Sequence, residues 1–339
     1  MSRPPVALAS LGGTITMTGN GDGGVRPSLT AADLVSAVPG LADAADLTVT
    51  TLATSPGASL GAADLRRCLT WACDSVRTGA AGAVIVQGTD TIEETAYFLD
   101  LHWDRDEPLV VTGAMRNPAT PGADGPANLY AAVATAADPA SRGLGALVVL
   151  NDTVHAAHRV RKTHTSALQA FASPGFGALG HVAERRVRYG NPVARHRPLP
   201  LPPEDRPRPR VALVETCFDD DGGLLAYAAA EYDGVVLAGF GVGHVPAALA
   251  ETVSAARVPV VLASRTGAGS TASRTYGFPG SERDLIARGA IPAGFLDARK
   301  SRVLLGSLLA LGVPEERLRA EFAARGAGAP GPTVGCESG

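Results

Sequence analysis

The chain has 339 residues, with 30 Lys and Arg against 33 Asp and Glu and a formal net charge of −3. At about 100–200 residues per domain, that length predicts two domains or one large one. The 45% of hydrophobic residues furnishes sizeable cores and excludes global disorder, and the balanced charge argues against a phosphate-binding surface, so no nucleic acid is expected as a partner.

In chain order, the first predicted strand is Val6–Ser10, followed by Gly12-Gly13-Thr14. A helical stretch over Ala62–Ser75 precedes a strand at Ala83–Val86, which runs into Gln87-Gly88-Thr89-Asp90-Thr91 and a helix over Glu93–Leu101. The strand Leu109–Thr112 leads to Gly113-Ala114-Met115-Arg116 and then to a helix over Asn128–Ala136. The strand Ala146–Leu150 leads to Asn151-Asp152 and the basic stretch Arg159–Lys162. Residues 194–210 are proline-rich and read as an extended linker. Beyond them come strands at Val211–Glu215, Val235–Ala238 and Val260–Ala263, with a helix over Ala247–Ala255. The strands are continuously apolar, as parallel strands covered on both faces are, and their alternation with helices implies βαβ units.

The predicted fold is therefore α/β, with a larger parallel-sheet domain over 1–193, a linker over 194–210 and a smaller α/β domain over 211–325. The apolar-poor tail over 326–339 is expected to be disordered. No run of about 18 apolar residues occurs, so no helical membrane span is expected. The apolar run Val6–Leu11 is too short for a signal-peptide core, and a cytoplasmic location is expected. Cys68, Cys73, Cys217 and Cys336 form no C-x-x-C pair, which implies neither a zinc site nor an oxidising compartment.

Ligands of open parallel sheets sit beyond the carboxyl ends of the strands. There, Thr14 follows two glycines that let a ligand approach the backbone closely. It is a candidate nucleophile, or else an ordinary turn threonine. Thr91 and Glu94 have the spacing of a capping box. That puts Thr89 and Asp90 in a strand-to-helix turn, where N–H donors keep an aspartate ionised and ready for an ammonium group; ordinary capping is the plainer alternative. Lys162, once desolvated, can act as a base toward a threonine hydroxyl; otherwise it is a surface charge beside Arg159 and Arg161. Gly19–Gly24 fits G-x-G-x-x-G but follows no strand, and Gly267–Ala272 leads into Gly277, Pro279 and Gly280 rather than a helix. Dinucleotide binding is rejected on that ground. His155, His158 and His164 lack a metal-ligand spacing.

The ordered set GGTI at 12–15, GTDTIEETAYFLDL at 88–101, TGAMRNP at 112–118, ADGPANLY at 123–130, NDTVHAAHRVRKTHTSALQAF at 151–171, SPGFGALG at 173–180 and KSRVLLGSLLALG at 300–312 resembles the bacterial-type L-asparaginase/glutaminase family. The resemblance runs from residue 6 to residue 312. It implies two α/β domains, the larger first, a homotetramer built as a dimer of dimers with active sites between subunits, and no metal or organic cofactor. It implies hydrolysis of the side-chain amide of L-asparagine through a threonyl acyl-enzyme. Thr14 then matches the nucleophile, Thr89 the second essential threonine with Lys162 as its base, and Asp90 the carboxylate for the substrate's α-ammonium group. Main-chain N–H groups near Gly13 and Thr89 are the expected oxyanion donors, with Gly88 and Ala114 also at the substrate site.

Four positions depart from the family pattern. The glycine-rich lid segment Met17–Pro27 holds no tyrosine, the first in the chain being Tyr97. The serine for the substrate carboxylate falls on Ser59, with Ser55 and Gly57 as alternative registers. Gln87 replaces a histidine at the head of the second signature. His244 stands where a neighbouring subunit contributes an asparagine, and the short region just before Tyr276 lacks an obvious glutamate. These changes touch the substrate's outer contacts. They leave open an amidohydrolase for a modified or larger β-carboxamide, or a non-catalytic homologue that binds asparagine or aspartate.

Overall fold

The computed structural model describes residues 3–19, 24–191 and 193–328. Part of the predicted lid segment (20–23), and the tail from 329 with Cys336, lie outside the described residues. The chain divides into two compact units at Pro198/Leu199, inside the proline-rich stretch. Residues 194–210 carry neither helix nor strand.

The first unit runs through β1 (Pro5–Ser10), the paired strands β2 (Met17–Gly19) and β3 (Val25–Pro27), α1 (Ala31–Ser36), α2 (Leu41–Ala44), β4 (Asp46–Thr51), α3 (Ala62–Arg77), β5 (Gly82–Val86) and α4 (Ile92–His102). It continues with β6 (Leu109–Thr112), α5 (Gly125–Ala137), β7 (Ala146–Leu150), β8 (Thr153–Ala156), β9 (Arg161–Lys162), β10 (Phe171–Ala172), β11 (Gly180–Ala183) and β12 (Arg186–Tyr189). Eight strands form one sheet in the order β12-β11-β8-β7-β6-β5-β1-β4. The five from β4 to β7 are parallel. Val84, Val86, Val110 and Val149 join residues of α1, α2 and α5 in one hydrophobic cluster. Side chains alternate along a strand, so α3 and α4, which supply nothing to that cluster, cover the opposite face. Burial on both sides is why every residue of β5, β6 and β7 is buried and apolar except Thr112, whose hydroxyl donates to Val149 O at 2.6 Å.

Three strands that the apolar runs do not reveal extend the sheet. β8, β11 and β12 are antiparallel. They are short, and β12 alternates exposed Arg186 and Arg188 around buried Val187. The β7–β8 turn holds Asn151 and Asp152 at φ 49° and 54°, a left-handed pair that these residues tolerate. The β11–β12 turn holds Glu184 and Arg185 at φ 51° and 68°, where longer side chains are strained.

The second unit comprises β13 (Val211–Glu215), α6 (Gly223–Glu231), β14 (Gly234–Gly239), α7 (Ala247–Ala255), β15 (Val260–Ser264), α8 (Glu282–Ala287), β16 (Ile291–Pro292), α9 (Ala298–Leu311) and α10 (Glu315–Gly326). Its four strands are parallel in the order β13-β14-β15-β16. Val235, Leu237 and Leu262 pack with Leu225, Leu249 and Val253 of the helices. α10 runs one residue into the segment assigned to the tail. No helix among the described residues is long and apolar enough to cross a membrane.

Two outcomes follow from this architecture. Replacing Glu184-Arg185 by Asn-Gly relieves the left-handed strain and raises the unfolding free energy by about 1–2 kcal/mol in urea melts. On β8, His155 is 3% exposed, its Nδ1 is 2.9 Å from Ser173 Oγ, and its Nε2 is buried without a hydrogen-bond partner. Burial, assisted by His181, pushes its imidazole down from 6.5 to about 4. The unfolded chain takes up the proton first. That increment of stability is therefore intact above about pH 6.5 and falls by about 3 kcal/mol as the pH drops toward 4. Urea melts across this range lose that part of the slope in His155→Asn; an identical slope in both proteins contradicts the assignment.

Candidate active site

β1 and β5 lie side by side with Ser10 opposite Val86, so the segments that follow them emerge together at the carboxyl edge of the sheet. Leu11 N–H donates to Val86 O at 2.8 Å. Gly13 then adopts φ 88° and starts a single turn over Thr14–Thr16, in which the Thr16 N–H and hydroxyl both return to Gly13 O, at 2.9 and 2.8 Å. A Cβ on Gly13 would overlap the Gly88 N and Cα atoms. Across Gly88 lies a second turn, Gly57–Ser59, so close that a Cβ on Gly57 would stand 2.8 Å from Gly88 O and one on Gly88 2.7 Å from Gly57 N. Gly113, after β6, completes the group, since a Cβ there would stand 2.5 Å from Gln87 O and 3.3 Å from Thr89 Cγ2.

Thr89–Thr91 forms a short turn that continues directly into α4. The predicted capping box does not form. Thr91 occupies the N-cap position without a capping hydrogen bond. Its hydroxyl instead donates to Gly57 O at 2.9 Å and accepts from Gln87 Nε2 at 3.3 Å. Fully buried Gln87, whose Oε1 lacks a partner, thus ties the turn after β5 to the Gly57 turn. A tertiary acceptor has displaced local capping, a competition open to any threonine hydroxyl.

The cation comes from outside the main sheet. β9 pairs only with β10, and Lys162 projects from it. Its Nζ donates to Thr89 Oγ1 at 3.0 Å and to Asp90 Oδ1 at 2.8 Å. The Lys162 side chain is 17% exposed and the Asp90 side chain 64%, so the carboxylate keeps an open face. Thr89 is buried, and Thr14 is half-buried on the adjoining turn. Ala114 is fully buried directly after Gly113.

The other candidates fall elsewhere. Ser59 is exposed at the end of its turn, and Gly57 rather than either serine abuts Gly88. Ser55 N–H donates to Leu11 O at 2.9 Å. His244 lies in the second unit, where its Nε2 is 3.2 Å from Glu282 Oε2 and its ring meets Tyr276 and Phe278 edge-on at 4.7 and 5.0 Å. Burial of Glu282 opposes its ionisation, but N–H donors from Tyr276 and Thr275, with His244, outweigh it and hold the carboxyl below the usual range. Glu282 follows Tyr276, outside the stretch in which the sequence pattern looks for an acid.

Sequence reading also missed Asp124 and Asn128. The Asp124 carboxylate accepts the N–H groups of Met115 and Arg116, each at 2.9 Å. Asn128 donates to Gly113 O at 2.9 Å and accepts Asn151 N–H at 2.8 Å, joining the loops after β6 and β7. No local signal distinguishes them from helix-start residues.

Comparison with known proteins gives a consistent picture. Residues 5–195 match the family model "Asparaginase, N-terminal", and residues 210–322 match "Glutaminase/Asparaginase C-terminal domain". The chain is 35% identical to L-asparaginase 2 of Escherichia coli over 325 residues, 90% of this chain and 88% of that protein. It is 36% identical to a probable L-asparaginase of Deinococcus radiodurans over 327 residues, 95% and 98% of the two chains. The crystal structure of a probable cytoplasmic L-asparaginase from Campylobacter jejuni superposes with a TM-score of 0.84 at 31% identity, covering 95% of this chain and 99% of that one.

The glycine contacts make a stability prediction. Gly13→Ala adds a Cβ both to a left-handed backbone and against Gly88, and lowers the unfolding free energy by roughly 3 kcal/mol or more. Gly19→Ala, where nothing lies within 4 Å of the added atom, changes it by less than about 0.5 kcal/mol in the same denaturant melts.

Proposed function

The chain belongs to the bacterial-type asparaginase family, and on that premise we propose that it hydrolyses the side-chain amide of L-asparagine to L-aspartate and ammonia. The observation that carries the reading is Lys162 Nζ within hydrogen-bond distance of both Thr89 Oγ1 and Asp90 Oδ1, beside Thr14 at the carboxyl ends of β1 and β5. In the proposed reaction the Thr14 hydroxyl attacks the amide carbon, its proton passes to the departing nitrogen, and ammonia leaves. The resulting β-aspartyl ester is then hydrolysed by water. A neutral hydroxyl is a poor nucleophile, so a base must take the proton as the bond forms. Lys162 serves that purpose through Thr89. Asp90, with its exposed face, receives the substrate's α-ammonium group, which then shares the carboxylate with the lysine. Main-chain N–H groups of Gly13 and Thr89 are the proposed oxyanion donors, and Gly88 and Ala114 line the amide end.

Three further points belong to the same proposal; the first and third rest on the family resemblance, the second on the likeness to a probable cytoplasmic L-asparaginase. The protein works as a dimer of dimers, it resides in the cytoplasm, and His244 serves the site of a neighbouring copy. Ser59 is proposed to meet the substrate's carboxylate.

The test is ammonia release by the purified protein. L-asparagine is turned over by the wild type; Thr14→Ala lowers kcat by at least ~10³-fold and Lys162→Met by ~10²–10⁴-fold. A higher kcat/KM on N-blocked asparagine than on the free amino acid would transfer the reading to a modified β-carboxamide. Aspartate binding without any turnover would leave a sensor.

A further inference from the structure

We propose that Glu93 is a positioning residue that sets where Lys162 stands against Thr89; this rests on the reading of Lys162 as the base. β9 is two residues long, pairs only with β10 and belongs to a separate two-stranded ribbon, so the ladder of the eight-stranded sheet does not fix Lys162. Thr89, Asp90 and Glu93 lie on one continuous element, because the turn Thr89–Thr91 leads straight into α4 at Ile92. Glu93 Oε2 accepts the main-chain N–H of Lys162 at 3.0 Å. The side chain of the same lysine returns to Thr89 and Asp90 at 3.0 and 2.8 Å. One residue of a mobile-length side chain is thus held at its backbone end and at its Nζ end by a single rigid element.

Each end alone leaves freedom that the other removes. A lysine carries up to about 2 kcal/mol of rotamer entropy, and an Nζ contact without a fixed backbone can be reached from many backbone positions. Glu93 is 2% exposed. Burying a carboxylate is costly, and a leucine would fill that helix position without the cost. The acceptor that Glu93 offers the Lys162 N–H is one that a leucine cannot supply. The need is geometric: displacing a reacting group by about 1 Å is enough to cost ~10²-fold in rate.

Glu93→Leu removes the acceptor, and Glu93→Gln keeps one of similar shape. The expected result for Glu93→Leu is a kcat on L-asparagine about 10²-fold lower, with KM within about threefold of wild type. Glu93→Gln restores kcat to within about threefold. In the unliganded proteins, acetylation of Lys162 by acetic anhydride, followed by peptide mass spectrometry, accelerates several-fold in Glu93→Leu and not in Glu93→Gln. Wild-type kcat and wild-type Lys162 reactivity in a folded Glu93→Leu would overturn the proposal, as would equal losses in both variants. Should the wild type release no ammonia from L-asparagine, the functional reading fails by itself, and the acetylation contrast still decides the position of Lys162.

Discussion

At the carboxyl ends of β1 and β5 two main chains touch without a side chain between them. Gly13 and Gly88 are in contact that a single Cβ would prevent, and Gly57 closes on Gly88 from the other side. Parallel neighbours in a sheet are spaced by their hydrogen bonds at about 4.8 Å. Past the last ladder bond the chains are free to diverge, and only side-chain-free residues let them converge instead. The two threonine turns of the candidate site hang from that convergence. Thr14 and Thr89 each follow one of these glycines directly, so the contact that brings Gly13 to Gly88 also brings their turns together. A glycine loses more conformational entropy on folding than any other residue, and the hydrophobic cluster beneath β1, β5 and β6 offsets that cost.

The charged half of the site obeys a different constraint. Asp90 is largely exposed, and exposed ion pairs contribute only about 0–1 kcal/mol. Its pairing with Lys162 therefore adds little to the stability of the fold. What it adds is direction, because a buried hydroxyl and an exposed carboxylate hold the Lys162 Nζ at the boundary between core and solvent. The carboxylate keeps a solvent-facing side while the lysine side chain is mostly buried. The ribbon that carries Lys162 is not part of the main sheet, so the Thr14 turn and Lys162 are positioned by separate parts of the unit, and Lys162 reaches the turn after β5 through Thr89.

How much of this was legible in the sequence follows from how local each cause is. Buried parallel strands announce themselves as apolar runs, and β6 and β7 begin and end where those runs do; β13 has the expected bounds, but it is an edge strand with Leu213 and Glu215 exposed. β4 alternates threonine and half-buried apolar residues as an edge strand does, and such a pattern is weak over six residues. β11 and β12 are joined by Glu184-Arg185, a pair with no turn signature, so their hairpin is fixed by tertiary pairing alone. At the site, the residue types and their order pointed to Thr14, Thr89, Asp90 and Lys162. The hydroxyl of Thr91 was read as a cap because a cap is a local bond. Its true partner, Gly57 O, is 34 residues away. Glu93, Asp124 and Asn128 share that difficulty, since each bonds a main chain brought near only by folding.

The positions that depart from the family pattern sit in unlike settings, Gln87 fully buried and Ser59 exposed. A serine at position 57 would put its Cβ within 2.8 Å of Gly88 O. The wall facing Gly88 is therefore main chain, and a main chain cannot step aside as a rotamer can. Other segments have the opposite character: Ser59 is exposed, and β2 is half-buried with only Gly19 exposed. At Gly19, on β2, an added Cβ meets nothing within 4 Å. The glycine wall fixes the path of the chain after β1 and β5 with main-chain atoms that cannot repack, whereas an exposed side chain such as Ser59 can change at little cost in stability.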